Sequence, residues 1–340
     1  MERQVTFKKK AVLLSALTAI LFLAYVLTFI FNTQRQSRNI FAWLDPALID
    51  LADGIEIYGI GSINAGGSIN AGGRIILIRK NNVWFFQGES AEYPVKQGRV
   101  LDLFAVLSGK SSYPVRARSG EARERLGVAE GSASRILVRG GMGRPLLDLL
   151  VGSGDVMGKE VYLRRAGENE IHSGEDRFTR YTESDPASWY DLRLFPPGAN
   201  GALSAADVQQ ADISLPAGDD DSSADRRERP REYTLRRTGR NWIVSGDEGA
   251  ELDAARVEAW LRSVLEAEGE DFSDGAVDAA EGSITLSLGD GTSRALFLGK
   301  PDDDGRGNVS VAGSAHVFKL SEWAVNRLFR ESEYFLADTK

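Results

Sequence analysis

Gly152–Glu160, GSGDVMGKE, is the stretch of this chain nearest to a phosphate-binding loop. Such a loop needs G-x-x-x-x-G-K-[ST], so that backbone amides cradle the phosphate and the hydroxyl holds magnesium. Here Ser153 stands at the first glycine position and Glu160 replaces the hydroxyl. A carboxylate at that point repels phosphate, and the stretch reads as a turn between two strands. Asp302-Asp303-Asp304-Gly305 hints at a calcium loop. An EF-hand wants an acidic residue two positions before Asp302 and a glutamate six after Gly305, and those positions hold Lys300 and Val311. It reads as a solvated acidic turn, as does Asp219–Asp221. The chain has two histidines, His172 and His316, and no cysteine. Without cysteine there is no disulfide, thiolate nucleophile or iron–sulfur cluster. Two histidines fall short of the three or four ligands of a zinc site. No G-x-S-x-G elbow is present. The sequence therefore nominates no catalytic, cofactor-binding or metal-ligating residue, no cofactor, and no enzymatic activity.

These residues sit in a chain of 340, long enough for about two domains. It is 42% hydrophobic and 26% charged, so a sizeable core forms. The net charge of -8 argues against nucleic acid as a partner.

Ala11–Phe31, AVLLSALTAILFLAYVLTFIF, lacks any charge, proline or glycine. A helix of that length spans roughly 30 Å, the thickness of a bilayer's hydrocarbon core. Phe29, Ile30 and Phe31 are bulky where a signal-peptide cleavage site needs small residues. Residues 11–31 are thus expected to be a transmembrane helix and the contact with lipid. Arg3, Lys8, Lys9 and Lys10 precede it, against Arg35 and Arg38 after it. That excess keeps residues 1–10 in the cytoplasm, makes 32–40 a juxtamembrane linker, and puts the bulk of the chain outside a bacterial inner membrane.

The remainder repeats itself at a spacing of about 158 residues. Ile55-Glu56-Ile57 and Asp212-Ile213-Ser214-Leu215 are short strands. Each precedes an irregular insertion, the doubled SINAGG of Ser62–Gly73 in one and Ala217–Arg231 in the other. A hairpin follows each: Ile75–Phe86 turning at Asn81-Asn82, and Tyr233–Val244 turning at Thr238-Gly239. Trp84 falls on Trp242, Leu77 on Leu235 and Arg79 on Arg237. Arg99–Gly109 and Arg256–Gly269 follow with apolar residues at helical spacing, both stopping at glycine. Arg135–Gly152 and Ser283–Gly299 each read as two strands around a glycine-containing turn. Glu160–Arg165 and Asn308–Gly313 are further strands, and Ser188–Phe195 and Glu333–Thr339 close the copies. The expected fold is α+β: an N-terminal transmembrane helix, then two tandem, related domains at 41–197 and 198–340, each a mainly antiparallel sheet with one or two helices. Trp84 and Trp242 suit the core.

The pattern resembles the bacterial family catalogued as domain of unknown function 4340. The residues that carry it are the hairpin tryptophans Trp84 and Trp242, Arg99-Val100 and Arg256-Val257, the strand ends Leu149–Gly152 and Phe297–Gly299, and the strands Val161–Leu163 and Val309–Val311. The resemblance implies a membrane-anchored extracytoplasmic protein, of a kind that accompanies gliding-motility-type ABC transporter components. The function expected is a non-enzymatic scaffold or accessory subunit of a membrane-protein complex, with ABC transporter subunits as partners. The alternative is a binding module that holds an envelope glycan or peptide between the two copies.

Overall fold

The computed structural model describes residues 17–26, 39–59, 74–89, 91–197, 201–216, 231–245, 250–277, 279–302 and 305–337. Residues 17–26 are helical. The rest divides into two compact units that meet in sequence between Trp189 and Tyr190. That point precedes the expected 197/198 division, because Leu192, Leu194 and Phe195 pack into the second core. The doubled SINAGG loop and residues 217–230 lie outside the described residues.

In the first unit β1 (Ile40–Phe41) pairs with β6 (Ser111–Ser112). The main sheet uses β2 (Ala52–Tyr58), β3 (Arg74–Lys80), β4 (Val83–Gln87), β5 (Glu92–Pro94), β7 (Val115–Ala117), β8 (Ser134–Gly140), β9 (Arg144–Gly154), β10 (Glu160–Arg165) and β11 (Ile171–Glu175). Its order is β5-β4-β3-β2-β8-β9-β10-β11-β7, antiparallel throughout. The second unit contains β12 (Val208–Ser214), β13 (Glu232–Thr238), β14 (Asn241–Val244), β15 (Asp271–Ser273), β16 (Gly282–Leu288), β17 (Ser293–Leu298), β18 (Gly307–Val311) and β19 (Val317–Leu320). Its order is β14-β13-β12-β16-β17-β18-β19-β15. The two orders coincide strand for strand, except that β5 adds an edge to the first. In both, a strand after the long helix, β7 in the first unit and β15 in the second, crosses to the far edge. The molecule is mixed α+β with antiparallel sheets and few helices.

Alternation explains the strands. Ile55 and Ile57, then Ala211 and Ile213, face one side of each central strand and are buried. Each long helix covers that side. Gln97–Ser108 buries Val100, Leu103, Phe104 and Leu107. Ala254–Leu265 buries Val257, Trp260, Leu261 and Val264 at the same spacing. Each such apolar side chain contributes about 1.5–3 kcal/mol on burial. The helix starts differ. Asp253 caps the second by accepting from the amides of Ala255 and Arg256 at 2.9 and 3.2 Å. The first has no side-chain cap. Instead Gln97 accepts from the Trp84 amide at 3.0 Å and donates to the Trp84 carbonyl at 2.9 Å, which docks the helix onto β4.

The β3–β4 hairpin turns at Asn81 and Asn82, both at positive φ (50° and 64°), as a two-residue loop requires. The β13–β14 hairpin turns at Gly239-Arg240, one residue later than expected, because Thr238 pairs with Asn241. Gly239, at φ 64°, supplies the left-handed position. The second long helix also ends at Leu265, short of Gly269. Gly269 serves close packing instead: a Cβ there would meet the Phe318 side chain at 3.0 Å. Trp84 and Trp242 are core residues, 5% and 2% exposed.

Candidate functional site

Among the described residues, no helix is long and apolar enough to cross a membrane. The helical residues 17–26 fall inside the expected span of 11–31, whose remaining residues, 11–16 and 27–31, lie outside the described ones. Leu17, Ile20, Leu21, Phe22, Leu23 and Tyr25 are each more than half exposed. A helix of a water-soluble protein turns such residues inward on one stripe.

From Asn39 on, the chain is fastened to the first unit. The Asn39 carbonyl accepts from the Tyr113 amide at 2.7 Å, and β1 pairs with β6. Phe41, Trp43, Tyr113 and His172 then form a ring cluster with centroids 5.1–5.5 Å apart. Trp43 is 2% exposed, and Arg165 lies over its ring and donates to its carbonyl. His172 is buried here, with Nδ1 2.8 Å from the Tyr113 carbonyl. It acts as a cluster member. His316 belongs to the second unit, beside Phe272, and its burial pushes the imidazole pKa down. Among the described residues no group of three or more His, Asp or Glu is placed to hold a metal.

The two motif-like stretches are turns. Asp155 accepts from the amides of Lys159 (2.7 Å) and Glu160 (3.1 Å), which closes the β9–β10 turn and lowers its own pKa. Asp302 accepts from the Arg306 amide at 2.8 Å and lies 3.8 Å from the Lys319 ammonium. Asp303, Asp304 and Asp219–Asp221 lie outside the described residues.

Each sheet also carries an arginine–tryptophan pair in the same register. Arg79 stands opposite Trp84 and Arg237 opposite Trp242. Their guanidinium carbons lie 5.8 and 4.7 Å from the ring centroids. Arg79 donates to the Asp50 carbonyl. Arg237 donates to the carbonyls of Val208 (3.1 Å) and Ala205 (2.9 Å). In both units the arginine therefore ties the hairpin to the chain entering the central strand.

Sequence reasoning missed a carboxylate at the centre of each sheet, on the face away from the long helix. Glu56 of β2 lies between Ile76 of β3 and Leu137 of β8. It is 9% exposed and accepts from Tyr58, from Arg74 at 3.0 Å and from Arg139 at 2.6 Å. Burial alone would raise its pKa. The hydrogen bonds from Tyr58 and Arg139 and the Arg139 charge outweigh burial and hold it below the usual carboxylate range. Arg135 and Asp148 form a bidentate pair beside it. The counterpart in the second unit is Asp212 of β12, between Thr234 of β13 and Thr285 of β16. Only the period-2 alternation of IEIY and ADIS, with one acid among apolar residues, signals these positions in the sequence.

A family model described as Domain of unknown function (DUF4340) matches residues 84–282, more than half of the chain. The single match begins in β4 of the first unit and ends where β16 begins in the second. No curated protein and no solved structure matches this chain.

Proposed function

The chain belongs to that family of domains of unknown function, and on this premise we propose that it is a membrane-anchored, extracytoplasmic scaffold or accessory subunit, docking onto a membrane complex of the ABC-transporter type. The observation that carries the reading is the apolar helical stretch Leu17–Tyr25, which leaves its large side chains uncovered. Lipid is the surrounding that removes this cost, since each exposed leucine or phenylalanine forgoes about 1.5–3 kcal/mol. The fastening of Asn39–Trp43 to the first unit supports it, because a tether needs a firm attachment to its body.

In this reading the two units are tandem copies of one α+β design. Their shared strand order and the two matched arginine–tryptophan pairs support that. The units act by holding rather than by turnover. In support, two buried charged groups already serve the fold. Glu56 joins β2, β3 and β8, and Arg164, 1% exposed, donates to the Val128 and Glu168 carbonyls at 2.9 and 2.8 Å.

Crosslinking in intact membranes followed by mass spectrometry tests the assignment. The expected result is repeated recovery of integral transporter subunits. A protein released from membranes by alkaline carbonate, or crosslinks to no membrane protein, would overturn it. A reporter fused after Lys340 is expected to be active outside the cytoplasm; cytoplasmic activity would reverse the orientation.

A further inference from the structure

The outer face of the second sheet holds a hollow of about 350 Å3. Asp212 lies in it with Glu232, Thr234, Ser245, Ser283 and Thr285 around it. Asp212 accepts from the Thr234 hydroxyl at 2.7 Å and from the Gln210 amide at 3.0 Å. Both donors are neutral. Among the described residues no lysine or arginine forms an ion pair with Asp212. Arg236 donates to the Gln210 side chain at 3.3 Å rather than to Asp212, so the half-buried carboxylate, on neutral partners, keeps acceptor capacity.

The first sheet shows what can bind a carboxylate at that place. At the same place Glu56 receives two guanidinium groups and a phenol. The register pairs the donors with their replacements. Tyr58 opposes Arg74 and Arg135, where Ser214 opposes Glu232 and Ser283. Arg139 opposes Gly54, where Ser287 opposes Gln210. Three large donors in one sheet are thus serines or an acid in the other. Among the described residues, nothing fills the second site as those donors fill the first, and the hollow lies there.

We infer that this hollow binds a guanidinium group presented from outside, such as the arginine side chain of a protein partner. A guanidinium is planar and offers paired N–H donors that match the two oxygens of a carboxylate. Glu232 adds a second acidic acceptor at the rim, and the Thr and Ser hydroxyls accept from the remaining N–H groups. The site does not depend on membrane anchoring, so its test stands apart from the test of location.

The experiment is calorimetric titration of the 340-residue chain with agmatine, a free guanidinium compound, alongside glucosamine and glucose. Agmatine is expected to bind in the millimolar range or tighter, and glucose is expected not to bind. Asp212→Asn should weaken agmatine at least tenfold. Ser214→Tyr, which copies the first sheet, should do the same by filling the space, and its unchanged melting temperature reports an intact fold. Absence of agmatine binding, or binding that neither variant weakens, overturns the inference. Glucosamine binding as tightly as agmatine overturns the assignment to guanidinium.

Discussion

Replacing Glu56 with glutamine removes one charge and almost no volume. The carboxylate accepts three hydrogen bonds, two of them from arginines. Hydrogen bonds to a charged group are worth about 1.5–3 kcal/mol each. The Glu56 side chain is 12% exposed, but Arg74 and Arg139 are 36% and 37% exposed, so water and salt offset much of their share. The substituted amide keeps one acceptor oxygen and turns an NH2 group toward cations. A net loss of about 2 kcal/mol at pH 7 follows, confined to the first unit. Amides of β2 and β8 that exchange through opening of that unit should then exchange about 30-fold faster. The sign with pH is fixed by the lowered pKa of Glu56. Its stabilisation is complete above about pH 5, the top of the ordinary glutamate range, and is lost as pH falls through the lowered folded-state pKa. Native and E56Q proteins should therefore converge in acid. Hydrogen exchange read by mass spectrometry, corrected for the intrinsic pH dependence of exchange, measures this. Equal protection at pH 7, or a difference that persists in acid, would refute the reasoning.

Gly152→Ala should destabilise the first unit by about 1–3 kcal/mol, because a Cβ there would meet the Leu126 carbonyl at 2.4 Å and Val128 at 2.6 Å; a shift in the urea midpoint checks it. Trp242→Ala should cost the second unit about 3–5 kcal/mol while exchange in the first stays unchanged. Trp260→Phe removes the indole donor to the Leu328 carbonyl (2.8 Å) and leaves part of the buried ring's volume empty, at a cost of about 2–4 kcal/mol in the same assay. Asn82→Gly should raise the melting temperature slightly, by about 0.5 kcal/mol of stability, since φ at that turn position is 64°.

What could be read from the sequence was local. Alternation around Asn81-Asn82 and the i, i+3, i+4, i+7 spacing of Val100, Leu103, Phe104 and Leu107 each lie within a dozen residues, and each formed. Both hairpin tryptophans were placed in the core for the same reason. The destination of β7 and β15 was not legible. Val115–Ala117 follows the long helix by a few residues, yet it pairs with β11, more than fifty residues on, at the far edge. Glu56 escaped notice because its partners Arg74 and Arg139 lie 18 and 83 residues away. An acid inside IEIY looks like an outward-facing strand residue until a second and third strand bring cations over it. Asp212 was hidden further, since what marks it is that, among the described residues, no cation pairs with it as Arg74 and Arg139 pair with its counterpart.

The fastening of Asn39–Trp43 decides how the body responds to a pull. Tension arriving along the chain from residue 38 enters at a two-residue ribbon, β1 on β6. So short a ladder resists little by its hydrogen bonds alone. Behind it stand Trp43, buried and overlaid by Arg165, and Leu44, whose amide donates to the Leu107 carbonyl at the end of the long helix. The ring cluster thus works as a mechanical stop. A modest load peels β1, and a larger one must extract Trp43, which strains the helix end through Leu44 and the main sheet through Arg165 of β10 and His172 of β11.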